Sequence, residues 1–166
     1  MSIGNAAAYN VTNSNGKTET WSVKPIPVDS RTMDTSWRSA SNLSIDTWNA
    51  AGGNISIAKQ NSNTSNTVNI SIGKYILPNE NWAGQEKRTS GVTLPNGNIE
   101  KRGSEIKLNV KPTLNWSTSS TQNTSAIDVR SVVLHELGHS LGMGHSDNQS
   151  AVMQGTVTAN KRTLTR

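Results

Sequence analysis

Three histidines and one glutamate within residues 135–145 are the side chains best suited to chemistry in this chain. His135 and His139 are four residues apart, His145 follows, and the chain has no other histidine. On a helix, residues four apart lie on one face, so both imidazoles can bind one metal ion. Glu136 points elsewhere and can act as a general base on a metal-bound water. The spacing therefore predicts a catalytic metal site.

A sharp turn must follow the helix if His145 is to reach the same ion. Gly142 lies three residues after His139, and glycine readily adopts the left-handed conformation that ends helices. Three nitrogen ligands leave one position of a zinc tetrahedron open, as in catalytic zinc sites. A short HExxH string also arises by chance on amphipathic helices, but chance explains the additional glycine and third histidine poorly. We therefore expect one catalytic zinc ion.

The pattern HExxHxxGxxH resembles the signature of the metzincin metalloproteases, which a methionine turn completes downstream. Met153 lies eight residues after His145, an interval similar to that of the matrixins, and residues 133–142 also look matrixin-like. The resemblance is strongest over residues 126–153 and closest to a secreted bacterial matrixin. It implies that His135, His139 and His145 bind zinc, that Glu136 is the catalytic base and that Met153 forms an apolar floor under the metal. The implied activity is hydrolysis of peptide bonds in extracellular proteins by a zinc-bound water that Glu136 activates.

The chain departs from this family pattern in places. Gln154 and Gly155 follow the methionine where animal matrixins usually have Tyr-Pro, and by resemblance they wall the pocket for the side chain after the scissile bond. No histidine remains for a second, structural zinc, so we expect a single one. Calcium is left open as a second cofactor, since several carboxylates could bind it: Glu80, Glu86, Glu100 and Asp147.

The resemblance also indicates where a substrate would lie. In metzincins an extended peptide binds antiparallel to the last strand of the sheet, and the order of elements places that strand near residues 81–88. Strand addition of this kind provides main-chain hydrogen bonds for affinity and side-chain pockets for selectivity. Trp82 and Gly84 are then candidate subsite residues, although a buried anchor and a turn are equally valid interpretations of these two.

The elements needed to position the site can be identified in the sequence. Apolar residues at three- and four-residue intervals predict a helix over residues 31–51, ended by Gly52 and Gly53. A second helix is predicted over residues 125–141, with Ser125 as its cap and Asp128 completing a capping box. Alternating apolar and polar residues predict strands over residues 20–28, 54–58, 68–73 and 105–110. The fold implied by the resemblance is α+β and zincin-like: a twisted, mixed, five-stranded sheet with an N-terminal helix and an active-site helix, followed by the methionine turn.

Composition limits the remaining properties. The 166 residues fit a single catalytic domain over 1–166, with an upper part of about 1–142 and a short lower part of about 143–166. Related domains normally have a helix after the methionine turn, but little of this chain remains there, so we expect that helix to be missing from it. The absence of cysteine excludes disulfides. The net charge of +5 comes from scattered basic pairs, which predicts no nucleic-acid partner.

The expected partners are protein or peptide substrates, and we expect a monomer. No apolar run is long enough to span a membrane, and residues 1–5 do not resemble a signal peptide. The resemblance implies secretion, so we expect a leader that is not part of this chain. Two alternatives remain: a secreted zinc-binding adhesin or cell-wall-binding module with weak or no catalysis, and a zinc hydrolase that acts on a non-peptide substrate.

Overall fold

The computed structural model describes residues 17–52, 55–60, 68–121 and 125–155, together with Arg162 and Leu164. Two helices and eight strands lie within this part of the chain. They are β1 (Glu19–Trp21), β2 (Ile26–Asp29), α1 (Thr35–Ala50), β3 (Ile57–Lys59), β4 (Asn69–Tyr75), β5 (Gly84–Thr93), β6 (Ile99–Asn109), β7 (Trp116–Ser117), β8 (Ile127–Asp128) and α2 (Val129–Ser140).

Six of these strands form one mixed sheet. Strands β1 and β4 pair in parallel with successive stretches of β6, and β2 lies between β4 and β3. Strand β5 pairs with the opposite side of β6 and runs antiparallel to it. The predicted mixed sheet with two helices is confirmed. The sheet has six strands and not the predicted five. The additional strand is the short β1, which pairs with β6 next to the stretch that pairs with β4.

The strand boundaries differ from prediction because pairing partners determine them. Residues 20–28 form two strands, since the chain leaves β6 after Trp21 and resumes pairing at Ile26 beside β3. Strand β3 begins at Ile57, and residue 54 lies outside the described chain. Strand β6 begins at Ile99, six residues before the predicted start, because its first half pairs with β5 across the turn at residues 95–97. The edge strand predicted at residues 81–88 is observed at Gly84–Thr93.

Helix α1 begins later than predicted. Asp34 is its N-cap and accepts the N–H of Trp37 at 3.2 Å, so residues 31–33 form a turn before the helix. The chain leaves the helix through Gly52, whose φ of +77° is in the left-handed region. The predicted stop is thus confirmed at Gly52, whereas Gly53 lies outside the described residues. The Trp48 indole donates to the carbonyl of Leu134 at 2.9 Å, which joins α1 to α2.

Helix α2 begins at Val129 and not near Ser125. Ile127 and Asp128 pair with Trp116 and Ser117 as the strands β8 and β7, so the chain is still extended there. Asp128 is the actual N-cap, and its carboxylate accepts the N–H of Ser131 at 3.0 Å. The predicted cap at Ser125 is therefore wrong.

The core lies between the sheet and the two helices and is built mainly from aliphatic side chains. Its fully or almost fully buried members include Val28, Ile45, Trp48, Ile70, Ile72, Ile106, Leu108, Val129, Val133, Leu134 and Leu137. Four of these residues come from α2, so the helix that carries the histidines is fixed by packing along most of its length. In the described part of the chain, neither helix has the length and apolar character needed to cross a bilayer.

Candidate metal centre

The three histidines predicted as ligands lie together. His139 Nε2 is 3.1 Å from His135 Nε2 and 3.1 Å from His145 Nε2, and the potential ligand atoms all lie within 4.8 Å of one another. Two nitrogens bound to one tetrahedral zinc, each at about 2.0–2.1 Å, are about 3.3–3.4 Å apart. The two separations from His139 are close to that value, so one zinc ion could be held by the three imidazoles.

Two backbone carbonyls orient the rings. His135 Nδ1 lies 2.7 Å from the carbonyl oxygen of Val152, and His139 Nδ1 lies 2.8 Å from that of Met143. A carbonyl can only accept, so in both rings Nδ1 carries the proton and the Nε2 lone pair faces the centre. Burial lowers the pKa of His139 below its usual value, against the opposing effect of the Met143 carbonyl. Burial thus favours the neutral imidazole that a metal requires, while the carbonyls fix the tautomer that leaves Nε2 free to bind it.

The turn after α2 brings His145 back to the centre. Gly142 has a φ of +94°, and its N–H donates to the carbonyl of His139 at 2.9 Å. A Cβ at Gly142 would lie 2.9 Å from the carbonyl oxygen of Glu19. Glycine is therefore required both by the backbone conformation and by the close approach of β1.

A second turn places Met153 under α2. The N–H of Ala151 donates to Asn148, and the N–H of Ser146 donates to the Met153 carbonyl at 2.7 Å. The Met153 side chain is fully buried, and its Sδ lies so close to Gly138 that a Cβ there would be 2.1 Å away. The same turn contains Val152, whose carbonyl orients His135. The turn thus supports the first histidine from below.

Glu136 lies beside the histidines and is 5% exposed. Burial raises the pKa of its carboxyl group to about 7, although the N–H of Glu86 donates a hydrogen bond that favours the charged form. A carboxyl group whose pKa lies near neutrality can both accept and release a proton at physiological pH. Its position and environment are therefore suited to general acid–base chemistry.

A cleft of about 550 Å³ opens over the histidines and Glu136. Of the residues predicted to contact substrate, Trp82, Gly84 and Gly155 line it. Gln154 lies beside it and forms a bridge with Ser146. Gly155 lies against the ring of His145.

Strand β5 forms one wall of this cleft and packs directly on α2. A Cβ at Gly84 would lie 2.4 Å from Val132 Cγ1 and 3.1 Å from Glu136 Cγ. Glycine at this position therefore lets the edge strand reach the helix that carries Glu136. The Trp82 indole, just before the strand, donates to the Glu80 carboxylate at 2.8 Å.

Several cleft residues were not identified from the sequence, namely Glu86, Ile127, Ser131 and Val132. Glu86 could have been found, because it is two residues after Gly84 and strand residues two apart share a face. The carboxylates considered for calcium do not gather: within the described chain, His135, His139 and His145 are the group placed to hold a metal ion.

Comparison with known proteins agrees with this geometry. The sequence model of the matrixin family matches residues 7–165. Metalloendoproteinase 2-MMP of Arabidopsis thaliana is 49% identical over 39 residues, which are 24% of this chain and 10% of that protein. The chain thus aligns with about a tenth of that relative's length. The match over nearly the whole sequence, together with the histidine geometry, shows that this chain belongs to the matrixin family.

Proposed function

We propose that this matrixin is a zinc-dependent endopeptidase with one zinc ion bound by His135, His139 and His145. The observation that supports this most is the separation of 3.1 Å between neighbouring Nε2 atoms, with Glu136 buried beside them. Family membership supports the metallopeptidase class. The residues after the third histidine would then form a methionine turn, with Met153 as the floor of the site.

Each group has a separate role in the proposed reaction. Zinc, when bound, supplies Lewis acidity to the substrate carbonyl and to the attacking water. Glu136 accepts a proton from that water and transfers it to the departing amine, so one carboxyl group serves both halves of the reaction. The carbonyls of Val152 and Met143 hold two of the rings in the required orientation.

We propose that the substrate is an extended peptide that adds to β5. Within the described chain β5 pairs with β6 alone, so its outer edge can accept and donate main-chain hydrogen bonds. A peptide on this edge passes Gly84, where β5 packs against Glu136. Trp82, Gly84 and Gly155 would contact side chains of the substrate, and Gln154 would lie beside them.

We also propose three further properties on the basis of the family resemblance. These are secretion with action on extracellular proteins, one catalytic domain over residues 1–166 divided near residue 142, and a monomeric state. The lower part of that domain, about 143–166, would carry His145 and the methionine turn.

The test is cleavage of casein by zinc-loaded protein, with bound zinc measured in the same samples. We expect the wild type to cleave internal bonds, and Glu136→Gln to retain one zinc while its rate falls by about two to four orders of magnitude. Glu100→Gln, on β6 outside the cleft lining, is the matched control and should cleave normally. Zinc binding by all three without cleavage would contradict the proposal and support a zinc-binding module.

A further inference from the structure

A lysine is buried between β6 and the last turn of α2. The Lys101 side chain is 1% exposed, although lysine is almost never fully buried unless it is paired. Its Nζ lies 3.1 Å from Glu86 Oε1, 3.3 Å from Glu19 Oε2 and 3.3 Å from the carbonyl oxygen of His139. The ammonium group donates hydrogen bonds to Glu86 and to the carbonyl of His139, and it forms an ion pair with Glu19. The proposed reaction does not use this group.

The charges around Lys101 are balanced. Glu19 also accepts from Arg88 Nη1 at 2.5 Å, so two carboxylates face two cations. Ser104 Oγ donates to Glu86 Oε1 at 2.5 Å. The cluster is thus a satisfied polar network that joins β1, β5 and β6, and such networks fix geometry when every member is paired.

This network closes a ring with the metal centre. Strand β5 packs against Glu136 at Gly84, and the carboxylate of Glu86, two residues further along the strand, accepts from Lys101. Lys101 in turn donates to the carbonyl of His139. Glu136 and His139 lie on neighbouring turns of α2, so the ring runs from the helix to β5, then to β6 and back. It therefore sets the distance between the edge strand and the two functional residues of the helix.

The end of α2 depends on the same contacts. A cation near a helix C-terminus interacts favourably with the helix dipole, and Lys101 provides one at the carbonyl of His139. The Trp21 indole donates to the next carbonyl, that of Ser140, at 2.8 Å. Immediately after these residues the chain turns at Gly142 towards His145. Residues of the sheet thus fix the last turn of α2, which carries His139 and precedes the loop to His145.

We propose that Lys101 is a positioning residue: by binding Glu86 and the carbonyl of His139, it keeps His139 and Glu136 in place relative to β5. The role of Glu136 rests on the proposed function, whereas the placement of His139 is measured by metal binding alone. The competing explanation is that Lys101 only neutralises two buried carboxylates. That explanation predicts an effect on folding stability that charge balance restores.

The test compares Lys101→Met with the double variant Lys101→Met/Glu86→Gln. The double variant leaves Glu19 paired with Arg88 and removes the unmatched buried charge. Ile57→Ala on β3, at the far edge of the sheet, is the control for destabilisation without contact to the site. Zinc affinity is measured by competition with a chromophoric chelator, the coordination geometry by the absorption spectrum of the Co²⁺-loaded protein, and stability by urea unfolding without metal.

We expect Lys101→Met to bind zinc about 10- to 100-fold more weakly, as is typical when a group that orients a metal ligand is lost, and to change the Co²⁺ spectrum. The double variant should regain stability but not affinity, and Ile57→Ala should lose stability but keep its affinity. If Lys101→Met does not fold, the zinc affinity of the charge-matched double variant tests the proposal.

Wild-type affinity in Lys101→Met, or recovery of affinity together with stability in the double variant, would overturn the proposal. A wild-type protein that binds zinc but cleaves no peptide would instead refute the proposed function, and the affinity comparison would still decide the role of Lys101.

Discussion

Adding one methyl group at Gly84 should separate β5 from α2. The new Cβ would lie 2.4 Å from Val132 Cγ1, about 1.1–1.6 Å closer than the 3.5–4.0 Å at which carbon atoms attract most strongly. Val132 is 2% exposed, and a β-branched side chain in a helix has one strongly preferred rotamer. The strand must therefore move. We expect Gly84→Ala to cost about 1–3 kcal/mol of folding free energy, or about 2–4 °C in melting temperature per kcal/mol.

The same displacement should lower activity. It moves β5 away from Glu136 and shifts the edge on which substrate would bind. A misplacement of about 1 Å can cost about 100-fold in rate, so we expect kcat/KM to fall by about 10- to 100-fold. The assays are urea unfolding at a fixed free zinc concentration and cleavage of a fluorogenic peptide.

Two further variants test the reasoning. Gly73→Ala on β4 is the matched control, because the three atoms nearest to its Cβ all belong to the Tyr75 side chain, which is 36% exposed and can move. Val132→Ala removes the clashing methyl group, so Gly84→Ala/Val132→Ala should be more stable than the sum of the single effects by about 1 kcal/mol or more. Additive effects, or equal losses in Gly73→Ala and Gly84→Ala, would refute the close packing of β5 on α2.

Three more predictions concern the helix cap, the methionine and the metal. Burial raises the pKa of Asp128, but hydrogen bonds from Arg162 and Ser131 outweigh this effect and hold the pKa below the usual 3.8. The Asp128 carboxylate therefore stabilises the fold above pH 3.8, and this stabilisation is lost as the pH falls through the lower pKa of the folded state. Asp128→Asn should flatten the acid side of the stability profile in urea titrations, and an unchanged profile would be inconsistent with this. Gly138→Ala should weaken zinc binding in calorimetry because its Cβ would lie 2.1 Å from Met153 Sδ, despite a gain of about 1 kcal/mol in helix propensity; undiminished affinity would contradict it. Chelation of zinc should abolish casein cleavage and zinc addition restore it, so cleavage that survives chelation would count against a metallopeptidase.

The histidine cluster could be predicted because its geometry is local. Residues 135–145 contain one helical turn between two histidines and a glycine before the third, so helix periodicity and the conformational freedom of Gly142 suffice to bring the rings together. The helix over residues 35–50 was predictable for the same reason, since its apolar stripe depends on neighbours in sequence.

The helix and strand boundaries that were predicted wrongly depend on partners distant in sequence. Asp128 replaced Ser125 as the N-cap of α2 because Ile127 and Asp128 pair with β7, and this pairing has no signal in residues 125–128. Strand β6 was predicted too short because its polar first half is held by β1 and β5.

The role of Lys101 was equally hidden from the sequence. Its partners Glu86 and His139 are 15 and 38 residues away, and a lysine in a strand ordinarily indicates a solvent-exposed position. Only the arrangement of three strands around the helix end shows that this one is buried and paired.

The most direct test of the central claim is peptide cleavage in water labelled with the heavy isotope of oxygen, with products analysed by mass spectrometry. The zinc-loaded wild type should place one labelled oxygen in the new C-terminal carboxylate of an internally cleaved peptide. Glu136→Gln with the same bound zinc should show only a trace of labelled product. Intact peptide in the presence of wild-type protein that holds one zinc ion would contradict the assignment of this matrixin as an endopeptidase.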